Sequence, residues 1–131
     1  MKYLCIVYAG TGAASLSEAE GTAIKDACIE GDNALFEAGK LYMASPLEDP
    51  ASGANLRQVN GKTVRIDGPY AETKELVAGF MVIEAANLDE AVAIAAPGPL
   101  DGLVSMEIRP LRDETHSVTG QDRSAFFTRR S

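Results

Sequence analysis

Two amphipathic helical patterns set among six β-prone runs predict an α+β domain of two layers. The order is strand, helix, strand, hairpin, strand, helix, strand. Two helices can cover only one face of a sheet of this size. The first strand nevertheless alternates Tyr3, Cys5 and Val7 with Leu4, Ile6 and Tyr8, so both its faces are apolar. The chain has 131 residues, 46% apolar and 24% charged, which suits one globular domain. At this length one core buries roughly two thirds of the unfolded chain's surface, so no disulfide framework is needed.

The run "YLCIVY" at 3–8 is rich in β-formers and bounded by "AGTG", which reads as a central strand. Ser17 and Glu20 then form a capping box. The hydroxyl takes one free backbone N–H of a helix start, and the carboxylate returns to another. Ile24, Ala27, Cys28, Gly31, Leu35 and Ala38 recur at helical spacing, and Gly39 supplies a left-handed stop. Gly31 weakens this helix by up to ~1 kcal/mol relative to Ala. "KLYMASPL" is a strand ended by Pro46, and "EDPASGAN" is a loop.

In "LRQVNGKTVRI", Asn60-Gly61 is a strong hairpin signal because both residues tolerate positive φ. "LVAGFMVIEA" is a further strand. "NLDEAVAIAAP" is a short helix with Asn87 and Glu90 repeating the cap logic, and Leu88, Ala91, Val92 and Ala95 as its stripe. In "LVSMEIRPL", Val104, Met106 and Ile108 alternate with Ser105, Glu107 and Arg109, one face oily and the other polar. Together these elements predict a ferredoxin-like sandwich with an inserted β-hairpin. The bare, apolar side of its sheet is a partner surface, so a homodimer joined sheet to sheet is expected. Residues 1–111 form the expected domain. Residues 112–131 read as a polar, mobile tail, with Phe126 and Phe127 as aromatics able to dock on the same or a neighbouring subunit.

A formal charge of −7 argues against a nucleic-acid binder and against docking on anionic lipid. The two cysteines, Cys5 and Cys28, make neither a disulfide scaffold nor a zinc site, and both read as small buried hydrophobes. The apolar stretch 3–9 is too short to span a bilayer and makes a poor secretory signal. The expected location is the cytoplasm. No phosphate loop, Ser-His-Asp set or His/Cys cluster with metal spacing is visible, so no metal and no cofactor are expected. "AGTGAAS" lacks the third glycine of a dinucleotide site.

The densest polar stretch is "DGPYAETKE", Asp67 to Glu75. Asp67-Gly68-Pro69 forms a turn. Asp67 or Glu72 can serve as a general base if burial raises its pKa, with Tyr70 or Lys74 holding an oxyanion; alternatively, the stretch is a connection whose charges face water. Glu107 and Arg109 share a strand face. If that face lines a dimer cavity, Arg109 clamps an anion, or the pair satisfies itself across the interface.

"DGPYAETKE" followed by Gly79-Phe80, with "MKYLCIVY", "AGKLYMASPL", "NLDEAVAIAA" and "MEIRPL" in the same order, resembles the DGPF-domain proteins of the YCII-related family. The resemblance spans residues 1 to about 112. Tyr70 stands where the family name has Phe, keeping the ring and adding a hydroxyl. The resemblance implies a ferredoxin-like fold in a dimeric α/β barrel and a bacterial protein, often encoded near extracytoplasmic-function sigma factors. The wider family's His–Asp pair has no matching histidine here. Asp67 remains, and the lone His116 sits in the tail.

Two functional expectations follow. One is a cofactor-free enzyme acting on a small organic acid at the dimer barrel, with Asp67 or Glu72 as base, Tyr70 and Lys74 orienting the substrate, and Arg109 holding its anionic group. The other is a non-enzymatic ligand-binding or accessory protein, linked to sigma-factor regulation. A buried carboxyl facing a pocket favours the first, and carboxyls in water or in self-satisfied pairs favour the second.

Overall fold

The computed structural model describes residues 1–10, 15–68 and 75–127. Eight principal elements follow one another: β1 (Lys2–Ala9), α1 (Glu18–Glu37), β2 (Leu41–Pro46), β3 (Ala54–Val59), β4 (Lys62–Asp67), β5 (Leu76–Glu84), α2 (Leu88–Ala95) and β6 (Val104–Pro110). Four strands make one sheet in the order β2-β5-β1-β6, and among the described residues β3 pairs with β4 in a second, two-stranded sheet. Every pairing is antiparallel. This α+β arrangement is compatible with a ferredoxin-like fold carrying an inserted hairpin.

Local chemistry sets the helix ends. Ser17 Oγ accepts from the Glu20 amide at 3.1 Å, and the Glu20 carboxylate accepts from the Ser17 amide at 3.2 Å, closing the capping box. At the other end Gly39 takes φ +73°, which only glycine adopts cheaply. Its amide bonds to Phe36 O and that of Lys40 to Leu35 O, the two bonds of a Schellman stop. Asn87 caps α2 by accepting from the Glu90 amide at 2.9 Å. The Glu90 carboxylate does not complete a box; it meets Lys40 Nζ at 3.5 Å.

The core is small and lies between the sheet and α2. Tyr3, Cys5, Ile83, Ala85, Ala91 and Ala95 are buried, with Leu41, Met81, Ile94, Met106 and Ile108 packed against them. Two alanines on the inner side of α2 let the helix approach the sheet closely. Burial also pushes the Cys5 thiol up to about 11, so it is a neutral hydrophobe here. Cys28 is half-buried, and both cysteines are free.

Helix α1 runs beside β2 and contributes no fully buried residue. Its half-buried stripe is Ile24, Ala27, Cys28, Asp32 and Leu35; Gly31 and Ala38 are exposed. Asp32 thus occupies a place in the stripe, and burial raises its pKa.

The other face of the sheet has a different character. Leu4, Ile6, Tyr8, Phe80 and Val82 project there, opposite in phase to the core residues, and none is fully buried. Met43 beside them is exposed. We call this the outer face. The hairpin is barer still. Asn60 and Gly61 both take positive φ, as a type I′ turn requires, yet Leu56, Val59, Val64 and Ile66 are all exposed. A lone two-stranded ribbon is marginal in water, so these side chains are available to a partner.

After β6, residues 113–127 fold back on themselves. Thr115 bridges to Asp122, and the exposed His116 accepts the Val118 and Thr119 amides at Nδ1. Phe127 then lies 5.1 Å from the Tyr42 ring, centroid to centroid.

Two glycines should respond in opposite directions to the same change. A Cβ on Gly31 meets nothing within 4 Å, whereas one on Gly79 would come 2.9 Å from Ser45 O in the neighbouring strand. Gly31→Ala should stabilise by about 0.5–1 kcal/mol. Gly79→Ala should destabilise by about 1–3 kcal/mol, because the obstacle is backbone. Urea unfolding of both variants checks the pair.

Candidate functional site

The polar residues of β6 reach the outer face because the strand alternates. Register then pairs Ser105 with Tyr8, Glu107 with Ile6, and Arg109 with Leu4. Tyr8 donates its hydroxyl to Glu107 Oε1 at 3.0 Å, and Arg109 Nε stands 3.9 Å from Glu107 Oε2. Ser105 Oγ donates to both oxygens of Glu75, at 3.3 and 3.2 Å. The result is a polar strip along one edge of an apolar surface. Glu107 sits in the middle and takes a phenol from one side and a guanidinium from the other.

The hydrogen bond to Glu107, aided by some desolvation and by that carboxylate's charge, holds the Tyr8 phenol above its usual range. Tyr8 is therefore a neutral donor near pH 7. Arg109, with its planar fork on this face, is suited to a carboxylate or another planar anion.

The sequence-predicted residues divide. Arg109 lies on the strip with Glu107, as their spacing suggests. Asp67 ends β4, in the two-stranded sheet. It is 74% exposed, and its Oδ1 accepts from Arg65 Nε at 2.7 Å. Tyr70, Glu72 and Lys74 lie outside the described residues. Glu75 follows them directly in the chain, and its bond to Ser105 fixes the end of the acidic stretch on the outer face beside Tyr8.

A second polar cluster was not singled out from sequence. Glu84 lies opposite Lys2 on β1 and accepts from the Met1 ammonium and from the Tyr42 hydroxyl. Partial burial works against its charge. The two hydrogen bonds and the nearby cations outweigh that and hold its carboxyl below the ordinary value. In return, the bond to Glu84 pushes the Tyr42 phenol up to about 12. Strand register across β1, β5 and β2 makes this cluster, and nothing local in the sequence signals it.

A family model described as the YCII-related domain matches residues 1–115. An uncharacterized protein of Rhizobium meliloti (strain 1021) is 44% identical over 79 residues, which cover 57% of this chain and 62% of that protein. The match thus spans less than two thirds of that relative's length.

The raised phenol predicts a pH dependence. Tyr42 in the unfolded chain loses its proton near pH 10, whereas in the folded chain it does so at about 12. The protonated phenol therefore favours the fold below pH 10, and that contribution is lost as pH rises towards 12. The urea midpoint should fall across this window. Glu84→Gln should bring the Tyr42 titration, followed by phenolate absorbance, back towards 10. A Tyr42 titration unmoved by that substitution would contradict the assignment.

Proposed function

This chain belongs to the YCII-related family, and we propose that it works as a homodimer that binds a small organic anion on the outer face of its sheet. The observation that carries this is the Ser105–Glu75 contact, which ties the end of the acidic stretch to the face bearing Tyr8, Glu107 and Arg109. In the dimer, Leu4, Ile6, Phe80 and Val82 of two copies pack together in a self-complementary contact. The polar strip then borders a hollow with apolar walls. There Arg109 exchanges its weak tie to Glu107 for the ligand's carboxylate. Tyr8 and Ser105 keep the neighbouring Glu107 and Glu75 carboxylates engaged, and Tyr70 and Lys74 orient the remainder.

The state of Asp67 favours binding without turnover. An exposed carboxylate already paired with Arg65 is a poor base at neutral pH. The enzymatic reading draws on the same Ser105–Glu75 contact: the stretch that carries Glu72 ends at this face, so Glu72, with Asp67, is the base it assigns for removing a proton from the bound acid.

The test is a thermal-shift screen of small mono- and dicarboxylates followed by titration calorimetry of any hit. Arg109→Gln should weaken a hit at least tenfold, as expected for loss of a charge-assisted hydrogen bond worth about 1.5–3 kcal/mol. Unchanged affinity in that variant would refute the site. With a ligand in hand, turnover that falls by about 10²–10⁴-fold in Glu72→Gln would favour the enzyme over the binder.

A further inference from the structure

The folded-back segment after β6 encloses a cleft that the strip on β6 does not use. The cleft holds ≈ 560 Å³ and is lined by Lys2, Leu111, Arg112, Arg123, Phe126 and Phe127 among others. That volume is in the usual range for small-molecule sites, roughly 300–1,000 Å³.

Its construction is specific. The Arg123 amide bonds to Glu114 O, and Arg123 Nε donates to Glu114 Oε1 at 2.7 Å. Ser124 Oγ donates to Asp113 at 3.4 Å. These bonds clip the start of the 3₁₀ turn Arg123–Phe127 back onto the segment just after β6. They also engage both acidic side chains of the wall, so neither projects an unengaged charge into the cleft. Phe126 and Phe127 pack at 4.4 Å, and Lys2 Nζ lies 5.4 Å from the Phe127 centroid and 5.4 Å from that of Tyr42. Lys2 is therefore held against aromatic faces. Arg112 is exposed, and among the described residues no carboxylate lies within ion-pair distance of it. In a chain of net charge −7, this is an apolar cleft with an uncommitted guanidinium and a lysine at its rim.

We infer that this cleft is a binding site for a small aromatic monocarboxylate, with its ring against Phe126, Phe127 and Leu111 and its carboxylate on Arg112 and Lys2. The guanidinium fork matches a carboxylate, and the phenyl faces take a flat ring by offset or edge contact. The lining of this cleft shares no residue with the strip on β6, although Lys2 precedes by two residues Leu4, the register partner of Arg109, about 7 Å along β1.

The probe is 2-naphthoate, followed by fluorescence anisotropy on the full chain. The protein has no Trp, so no indole emission competes with the probe. Saturable binding is expected, weakened at least tenfold by Arg112→Gln and clearly by Phe127→Leu, with 2-naphthamide binding at least tenfold more weakly than the acid. No saturable binding at millimolar probe would overturn the inference, as would equal binding of acid and amide. Binding that survives Arg112→Gln and Phe127→Leu but is lost in Arg109→Gln would also overturn it, and would place the probe on the outer face instead.

Discussion

The structure depends on where β1 sits. It is central in the sheet, hydrogen-bonded to β5 on one side and β6 on the other, and it is apolar on both faces. Its inner residues, Tyr3 and Cys5, join Ile83 and the alanines of α2 to make the core. Each large apolar side chain buried there contributes about 1.5–3 kcal/mol. Its outer residues, Leu4 and Ile6, have equal reason to leave water and nothing in the described fold that buries them fully. A short core on one side and an oily sheet on the other is the arrangement that the proposed dimer would complete. The exposed side chains of the hairpin fit the same picture.

The same strand organises the polar chemistry. β6 is an edge strand, so its outer residues can be polar without interrupting the apolar centre of the sheet. Register against β1 brings Tyr8 to Glu107 and leaves Arg109 at the height of Leu4. At the other end of β1, Lys2 meets Glu84, Tyr42 and the returning C-terminal segment. Polar groups therefore collect at the ends and the β6 edge of an oily plane. In that arrangement a sheet-to-sheet contact would surround them rather than bury them without partners.

What was legible in the sequence was local. The Ser17–Glu20 box, the Gly39 stop, the Asn60-Gly61 turn and the alternation of β6 depend on residues close in the chain, and each appears in the structure. So does the shared face of Glu107 and Arg109, which needs only a strand's period of two. Contacts made by register were not legible: Tyr8 with Glu107, Ser105 with Glu75, Tyr42 with Glu84, Glu90 with Lys40. Nothing near Glu90 shows that Lys40 takes its carboxylate. The return of Phe127 onto Tyr42 is longer in range still. The acidic stretch was conspicuous by composition, but composition does not reveal that Asp67 would end the hairpin paired with Arg65 while Glu75 would reach β6.

The central claim is that the outer face is covered by a second copy of this chain. Sedimentation velocity at micromolar concentration measures it directly, comparing the native protein with Ile6→Glu, which places a charge in the middle of that face. The account predicts a native particle of twice the 13.8 kDa chain mass and a folded monomer for the variant. A native monomer, or a dimer indifferent to the glutamate, would contradict it.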